Sequence, residues 1–323
     1  MSDRAMHPDD EFHPPTSDDP YWTETCWFTF TVPERRLSGQ LYPFFRPNQR
    51  VTAGAAYVWD DSAADTWSCL YGKSFWHLPL PDQRLSDITL ANGIRYRCVE
   101  PQQRYELAYD DPDGDELHVA LTFDAVAQPN YLGESHLDQP GRYTGTIVLR
   151  GERIDVDAFG FRDRSWGPRA QFGVGLTGSG ALRGGYSYAT ASDRDGFHAI
   201  TMDFSGDVDG ECIAIHGYLL RDGDWSKLRR GTRDVVERDG DGMPRVVRVE
   251  GEDERGRTFD AEGCTLNRLR LFLNPNLFTV NCLTEWHFDG ITAYGEDHDN
   301  WSAVGIRRFM QARATPDRDP SHR

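Results

Sequence analysis

The sequence predicts an all-β protein, and three observations carry that expectation. Short runs of alternating apolar and polar residues recur along the chain, separated by Gly, Pro, Asn and Asp turns. Long amphipathic helical patterns are nearly absent. Turn strings such as DDPDGD and RDGD punctuate the runs without a fixed repeat length, which excludes a solenoid or propeller period and favours barrels or sandwiches.

Taken in order, residues 1–20 are acidic and proline-rich, the composition of a mobile arm. Trp27 to Val32 alternates as a strand, Pro33 and Glu34 turn the chain, and Leu37 to Phe45 returns antiparallel. Arg50 to Asp60 and Lys73 to Leu78 follow, the latter ended by Pro79 and Pro81. Ile88 to Leu90, then Asn92-Gly93, then Ile94 to Cys98 is a hairpin pattern. Tyr105 to Tyr109 and Leu117 to Phe123 flank the DDPDGD turn, which lacks the twelve-residue calcium-loop pattern. Tyr143 to Leu149 and Arg153 to Phe159 form a further pair across Gly151-Glu152. Beyond Arg169, strands are expected at Phe172 to Leu176, Gly184 to Ser192, Gly196 to Phe204, Ile213 to Leu220, Thr232 to Glu237, Arg245 to Glu250, Thr258 to Leu266 and Thr279 to Phe288. Trp301 to Met310 reads as a last strand or a short helix. The expected organisation is an arm at 1–20, β domains at 21–140 and 141–312, and a polar tail at 313–323.

Composition narrows the function classes. With 35 basic against 52 acidic residues the net charge is −17, which repels a nucleic-acid backbone. Aromatic residues make up 12% of the chain, enough to line interiors or a cavity with rings. Six scattered cysteines without a CxxC pair read as reduced core residues, and neither a disulfide scaffold nor a thiolate metal site is expected. No run has the length to cross a bilayer and the N-terminus lacks a signal-peptide core, so a soluble cytoplasmic protein without membrane insertion is expected. The glycines of GVGLTGSG have no following lysine, GxSxG is absent, and the histidines lack zincin spacing; no cofactor or metal is expected.

The densest chemistry lies in His136 to Arg169, HLDQPGRYTGTIVLRGERIDVDAFGFRDRSWGPR. Two readings of its end are open. Arg162 or Arg164 clamps Asp163 or Asp157 and fixes a strand crossing, or the network lines a pocket and sets the pKa of a carboxylate. His136 and Asp138 alternate on one strand face, as an orienting pair or a rim pair. A second stretch, EWHFDGITAYGEDHDNW, puts Glu285 and His287 on one face and Trp286 and Phe288 on the other, with Tyr294-Gly295-Glu296 following. Glu285 and Glu296 are further acid–base candidates. Trp59, Trp76, Trp166, Tyr186, Trp286 and Tyr294 are candidates for a lining that holds a flat or polyene substrate and stabilises a carbocation.

The central stretch resembles the H-[FL]-[ED]-Q…G…G-x-RDxSWGxR signature of an uncharacterised bacterial family related to the AttH-like and carotenoid 1,2-hydratase proteins. The matching positions are His136, Asp138, Gln139, Gly160, Arg162, Asp163, Ser165, Trp166, Gly167 and Arg169. The C-terminal stretch resembles their glycine-bounded turn followed by an acid, here Gly290, Gly295 and Glu296. The resemblance implies tandem lipocalin-like β-barrels with a cavity in or between them, and relatives that hydrate or cyclise hydrophobic isoprenoids. Many relatives place histidine where Arg164 stands, so a proton relay through that position is not carried over.

The resulting expectation is a cofactor-independent lyase, hydratase or cyclase for a small terpenoid or polyketide. Asp163 is the preferred acid, Arg162 and Arg169 hold the network, Trp166 packs on substrate, and His136 or Glu285 guides water. The competing class is a non-catalytic lipocalin-like carrier of a hydrophobic metabolite.

Overall fold

The computed structural model describes residues 5–169, 180–206 and 210–314. Alternation reads through to twenty strands among the described residues. The first eleven are β1 (Trp22–Val32), β2 (Leu37–Arg46), β3 (Val51–Trp59), β4 (Tyr71–Pro79), β5 (Asp87–Thr89), β6 (Ile94–Glu100), β7 (Arg104–Asp110), β8 (Leu117–Ala125), β9 (Asn130–Leu132), β10 (His136–Leu149) and β11 (Glu152–Pro168). Nine follow: β12 (Arg183–Thr190), β13 (Gly196–Asp203), β14 (Cys212–Arg221), β15 (Asp224–Arg238), β16 (Pro244–Asp253), β17 (Thr258–Thr265), β18 (Leu269–Asn274), β19 (Leu277–Phe288) and β20 (Ile291–Ser302). One helix, α1 (Ala303–Ala314), ends the described chain, which settles the strand-or-helix alternative for that segment. The expected strand at Phe172 to Leu176 and the GVGLTG string lie outside the described residues.

The chain divides into two units, with the main boundary after Arg169. In the first, a curled antiparallel sheet runs β4-β3-β2-β1-β11-β10-β8-β7-β6-β5, with β9 beside β10. Its core packs Phe28, Phe30, Leu41, Tyr96, Tyr105, Phe123, Tyr143, Ile147 and Ile154 among other buried side chains. In the second, β12 to β17, β19 and β20 close into an eight-stranded barrel through the β17–β19 pairing, and β18 flanks β19. Phe197 fills the barrel against Phe259, Trp286 and Phe288, with ring centroids 5.1–5.3 Å apart. The all-β barrel class expected from the alternation is therefore observed.

The boundary after Arg169 corrects the one placed at 140. The hairpin of β10 and β11 does not open the second unit, because β11 pairs along its far half with β1, from Trp22↔Pro168 to Thr29↔Phe161. It sits at the centre of the first sheet.

The arm also differs from its expected mobility over its described part. Tyr105 OH donates to Asp10 Oδ1 at 2.7 Å, Tyr131 OH to Asp9 Oδ2 at 2.5 Å and Ser86 Oγ to Glu11 Oε1 at 2.6 Å. Its acids, which composition alone assigns to solvent, are hydrogen-bond acceptors for the first unit.

Candidate active site

The string Phe161-Arg162-Asp163-Arg164-Ser165-Trp166 lies within β11, so consecutive side chains leave the sheet on opposite faces. Register fixes which face each takes. Cys26 and Phe28 of the core stand opposite Arg164 and Arg162, whereas Thr25 and Trp27 stand opposite Ser165 and Asp163. On the other neighbour, His136 and Asp138 stand opposite Ser165 and Asp163. The backbone must come close here: a Cβ on Gly160 would lie 2.6 Å from the Thr29 carbonyl oxygen and 2.8 Å from the Tyr143 ring.

On the core face, Arg162 is 2% and Arg164 1% exposed. Arg162 Nε donates to Gln139 Oε1 at 2.7 Å, and its guanidinium carbon lies 4.1 Å from the Tyr105 ring centroid. Arg164 Nη2 donates to Glu24 Oε2 and to the Glu11 carbonyl, each at 2.5 Å, and Nη1 donates to the Asp9 carbonyl. Trp166 is on this face too, stacked on His13 at 4.0 Å and 9°. The alternation thus carries Arg162 and Arg164 away from Asp163, correcting the expected clamp, and Asp157 is instead held by Arg142 at 2.6 and 2.8 Å.

The opposite face is buried as well, since every position of β1 is buried. Here His136 Nδ1 lies 2.8 Å from Ser165 Oγ, and His136 Nε2 lies 2.9 Å from Asp138 Oδ2. With Asp138 ionised and the ring neutral, Nε2–H donates to the carboxylate and Nδ1 accepts the Ser165 hydroxyl proton. Asp138 is fully buried and Ser165 is buried. Burial alone would pull the His136 pKa down. The charge and hydrogen bond of Asp138, helped by Asp163, outweigh it and hold the pKa above its ordinary value, while Arg169 opposes them. Arg169 also acts on Tyr42, whose pKa burial pushes up. The site is a Ser–His–Asp chain, buried at Ser165 and Asp138 and half-buried at His136, with a second carboxylate, Asp163, beside it.

The remaining predicted residues lie on other strands. Trp59, fully buried, is on β3 opposite Ser38. Trp76 is 46% exposed on β4, edge-on to Phe44. Glu285 accepts from Tyr294 OH at 3.0 Å and lies 3.3 Å from His287 Nε2, in the second unit. Trp286 fills the barrel interior, and Tyr186 lies on β12 with its ring centroid 4.7 Å from that of His198. A cavity of about 1030 Å³ flanks the barrel, lined by Ile213, Arg229, Arg230, Glu252 and Phe259 among others; none of the predicted rings lines it. Its rim charges are already paired: Arg229 and Arg230 both hold Glu252.

Ser165 was assigned no role from sequence, though its offset of two residues from Asp163 on a strand is the signal that places it beside them. The departure of Arg164 from the relatives' histidine has a structural reading here: that position serves the core-side ion pair with Glu24.

Comparison with known proteins agrees with the architecture. The model of a domain of unknown function, DUF7064, matches residues 6–302, and the chain belongs to that family. A crystal structure of a putative AttH from Nitrosomonas europaea is similar at 13% identity, covering 93% of this chain and 97% of that one, with a TM-score of 0.60. Kievitone hydratase from Nectria haematococca is similar at 8% identity, covering 89% and 91%, with a TM-score of 0.54. CghA is similar at 10% identity, covering 92% and 96%, with a TM-score of 0.55. No curated protein matches the sequence significantly. At these identities the likeness is one of fold, and the fold is lipocalin-like.

Proposed function

We propose that this chain is a hydratase- or cyclase-type lyase that works on a small hydrophobic terpenoid or polyketide in the cytoplasm. The observation that carries the reading is the chain from buried Ser165 through half-buried His136 to buried Asp138. Protonated His136 is the proton source. Ser165 passes its hydroxyl proton to an alkene or enol carbon as it takes one from Nδ1, and Asp138 holds the imidazolium in place. The upward shift of the His136 pKa, set by the charge and hydrogen bond of Asp138, favours that imidazolium. Positive charge then develops on the neighbouring carbon. Asp163, opposite Asp138 in the register, offsets it, and water or an internal nucleophile captures it. The proton released by the capture returns through the same relay.

Two further observations support the reading. Structural neighbours named a hydratase and CghA share the fold, and one CghA crystal structure is with Sch210972. The cysteines are free, as a reducing compartment requires.

The experiment is native mass spectrometry of the protein from its producing cells, followed by denaturing extraction of any retained lipophilic molecule. That molecule and related alkenes are then incubated with wild type and Asp138→Asn. The reading expects a product differing by water or by ring closure, formed at least ~100-fold more slowly by the variant. A molecule that is bound and returned unchanged by both would make the protein a carrier and overturn the reading.

A further inference from the structure

β15 is irregular where it borders the cavity of the second unit. Consecutive strand residues ordinarily leave the sheet on opposite faces. Here the register shifts from Leu228↔Asp253 to Arg230↔Glu252, so two residues of β15 stand against one of β16. The bulge brings both arginines to one carboxylate: Arg229 Nη2 donates to Glu252 Oε1 at 2.6 Å, and Arg230 Nε donates to Glu252 Oε2 at 2.9 Å. A second interruption lies beside the first. β14 pairs with β15 at Ile213↔Thr232 and next at Tyr218↔Lys227, which leaves residues 214–217 and 228–231 outside that ladder. The cavity of about 1030 Å³ is lined from both sides of this seam.

Its walls are apolar and its charges unevenly matched. Gly231 and Gly251 face each other across β15 and β16. A Cβ on Gly231 would lie 2.5 Å from the Glu250 carbonyl oxygen, and one on Gly251 would lie 2.3 Å from the Phe259 ring. The wall there is bare backbone and the Phe259 ring, with Ile213, left 44% exposed, beside it. Of the lining acids, Glu250 and Asp260 are each held by Arg248 at 2.8 Å, and Asp289 is held by Arg221 at 2.8 Å. The surplus acid at Arg248 is more than half exposed, where water and salt screen it. Glu252, only 13% exposed, takes two arginines, although one would hold β15 to β16. Arg229 Nε and Nη1 and Arg230 Nη1 have no hydrogen-bond partner among the described residues.

We propose that this cavity binds an amphipathic monocarboxylate, its head group on Arg229 and Arg230 and its apolar body along Ile213 and Phe259. The planar guanidinium fork matches a carboxylate in paired, charge-assisted hydrogen bonds, and the unspent donors supply them. The ligand's carboxylate is the second anion that two arginines on one glutamate lack. The cavity is of the size that holds small lipophilic molecules, and its combination of an apolar wall with a few convergent polar groups is that of a binding site. Binding makes and breaks no covalent bond, and the site is independent of the role given to His136.

The test is calorimetric titration of the full-length protein with decanoate, and with decanol as the same chain without the charge. Wild type and His136→Gln are expected to bind decanoate saturably, and decanol about tenfold or more weakly. Arg229→Gln and Arg230→Gln should each weaken decanoate by about tenfold, the loss expected on removing a charge-assisted hydrogen-bond partner. Glu252→Gln releases both guanidiniums and should tighten decanoate by about the same factor, a gain that a purely strand-pairing role for the arginines does not produce. No saturable binding by wild type, equal binding of decanol, or affinity unchanged in both arginine variants and in Glu252→Gln would overturn the proposal. Binding lost in His136→Gln but kept in Arg230→Gln would assign decanoate to the relay, overturning this site while leaving the function proposed for His136 intact.

Discussion

The two faces of β11 hold side chains of the same kind and use them differently. On the core face, Arg162, Arg164 and Trp166 meet Gln139, Tyr105, Glu24 and His13, contacts that tie strands and the N-terminal segment together. On the other face, Asp163 and Ser165 meet His136 and Asp138, where three groups are linked in a line that can pass a proton. A single residue step along the strand separates a structural charge from one to which we assign chemistry. Charge density in a sequence therefore says little about role until the parity of each residue is assigned.

That contrast breaks down if variants on the two faces behave alike, and His136→Gln is the strongest challenge. It should lower turnover by ~10²–10⁴-fold, the range of a positioned general acid, with Tm within a few degrees of wild type. Arg164→Met should do the reverse. Leaving Glu24 buried without its partner costs ~3–5 kcal/mol of stability, read as a lower denaturant midpoint. The double variant with Glu24→Met should regain part of that loss, since the unpaired charge is gone. A smaller effect is expected of Ser165→Ala: about tenfold in rate if water takes the place of the hydroxyl, with little change in stability.

The smallest effect concerns the arm. Burial lowers the His13 pKa, but hydrogen bonds to Asp9 and Glu24 outweigh it against the opposing charge of Arg164, and the net shift is upward from 6.5. The protonated ring therefore favours the docked arm. Its contribution is complete below 6.5 and fades as pH rises through the raised folded value. Asp9 runs the other way: held down to about 2 from 3.8, chiefly by its hydrogen bond to His13, it stabilises above 3.8 and stops doing so as pH falls through about 2. Hydrogen exchange of residues 7–13 should quicken on the alkaline side in wild type, and His13→Gln should flatten that dependence.

Much of this was legible in the sequence, and its limits are physical. Local alternation reads β2 to within a residue and finds the hairpin ends of β1, β10 and β11, but it starts β1 at Trp27 instead of Trp22 and β10 at Tyr143 instead of His136, and stops β11 at Phe159 instead of Pro168. The unit boundary was not legible. It depends on β11 pairing with β1, about 140 residues earlier, and no local pattern records that register. β18 was missed because Leu269–Asn274 is short and flanks the barrel. The separation of Arg162 from Asp163 could have been read, since adjacent strand residues cannot share a face. His298 and Glu296 carry the same two-residue offset as His136 and Asp138, and both offsets are visible in the sequence as written.

The most direct test of the account is solvent-proton delivery. Wild type, His136→Gln and Arg164→Met are compared for deuterium incorporation from D2O at carbon of the molecule recovered with the protein. The account predicts rapid incorporation by wild type, incorporation by folded Arg164→Met at a rate close to it, and a loss of at least ~100-fold in His136→Gln. Undiminished incorporation in His136→Gln would contradict it, and the relay on the second face of β11 would then be structural like the first.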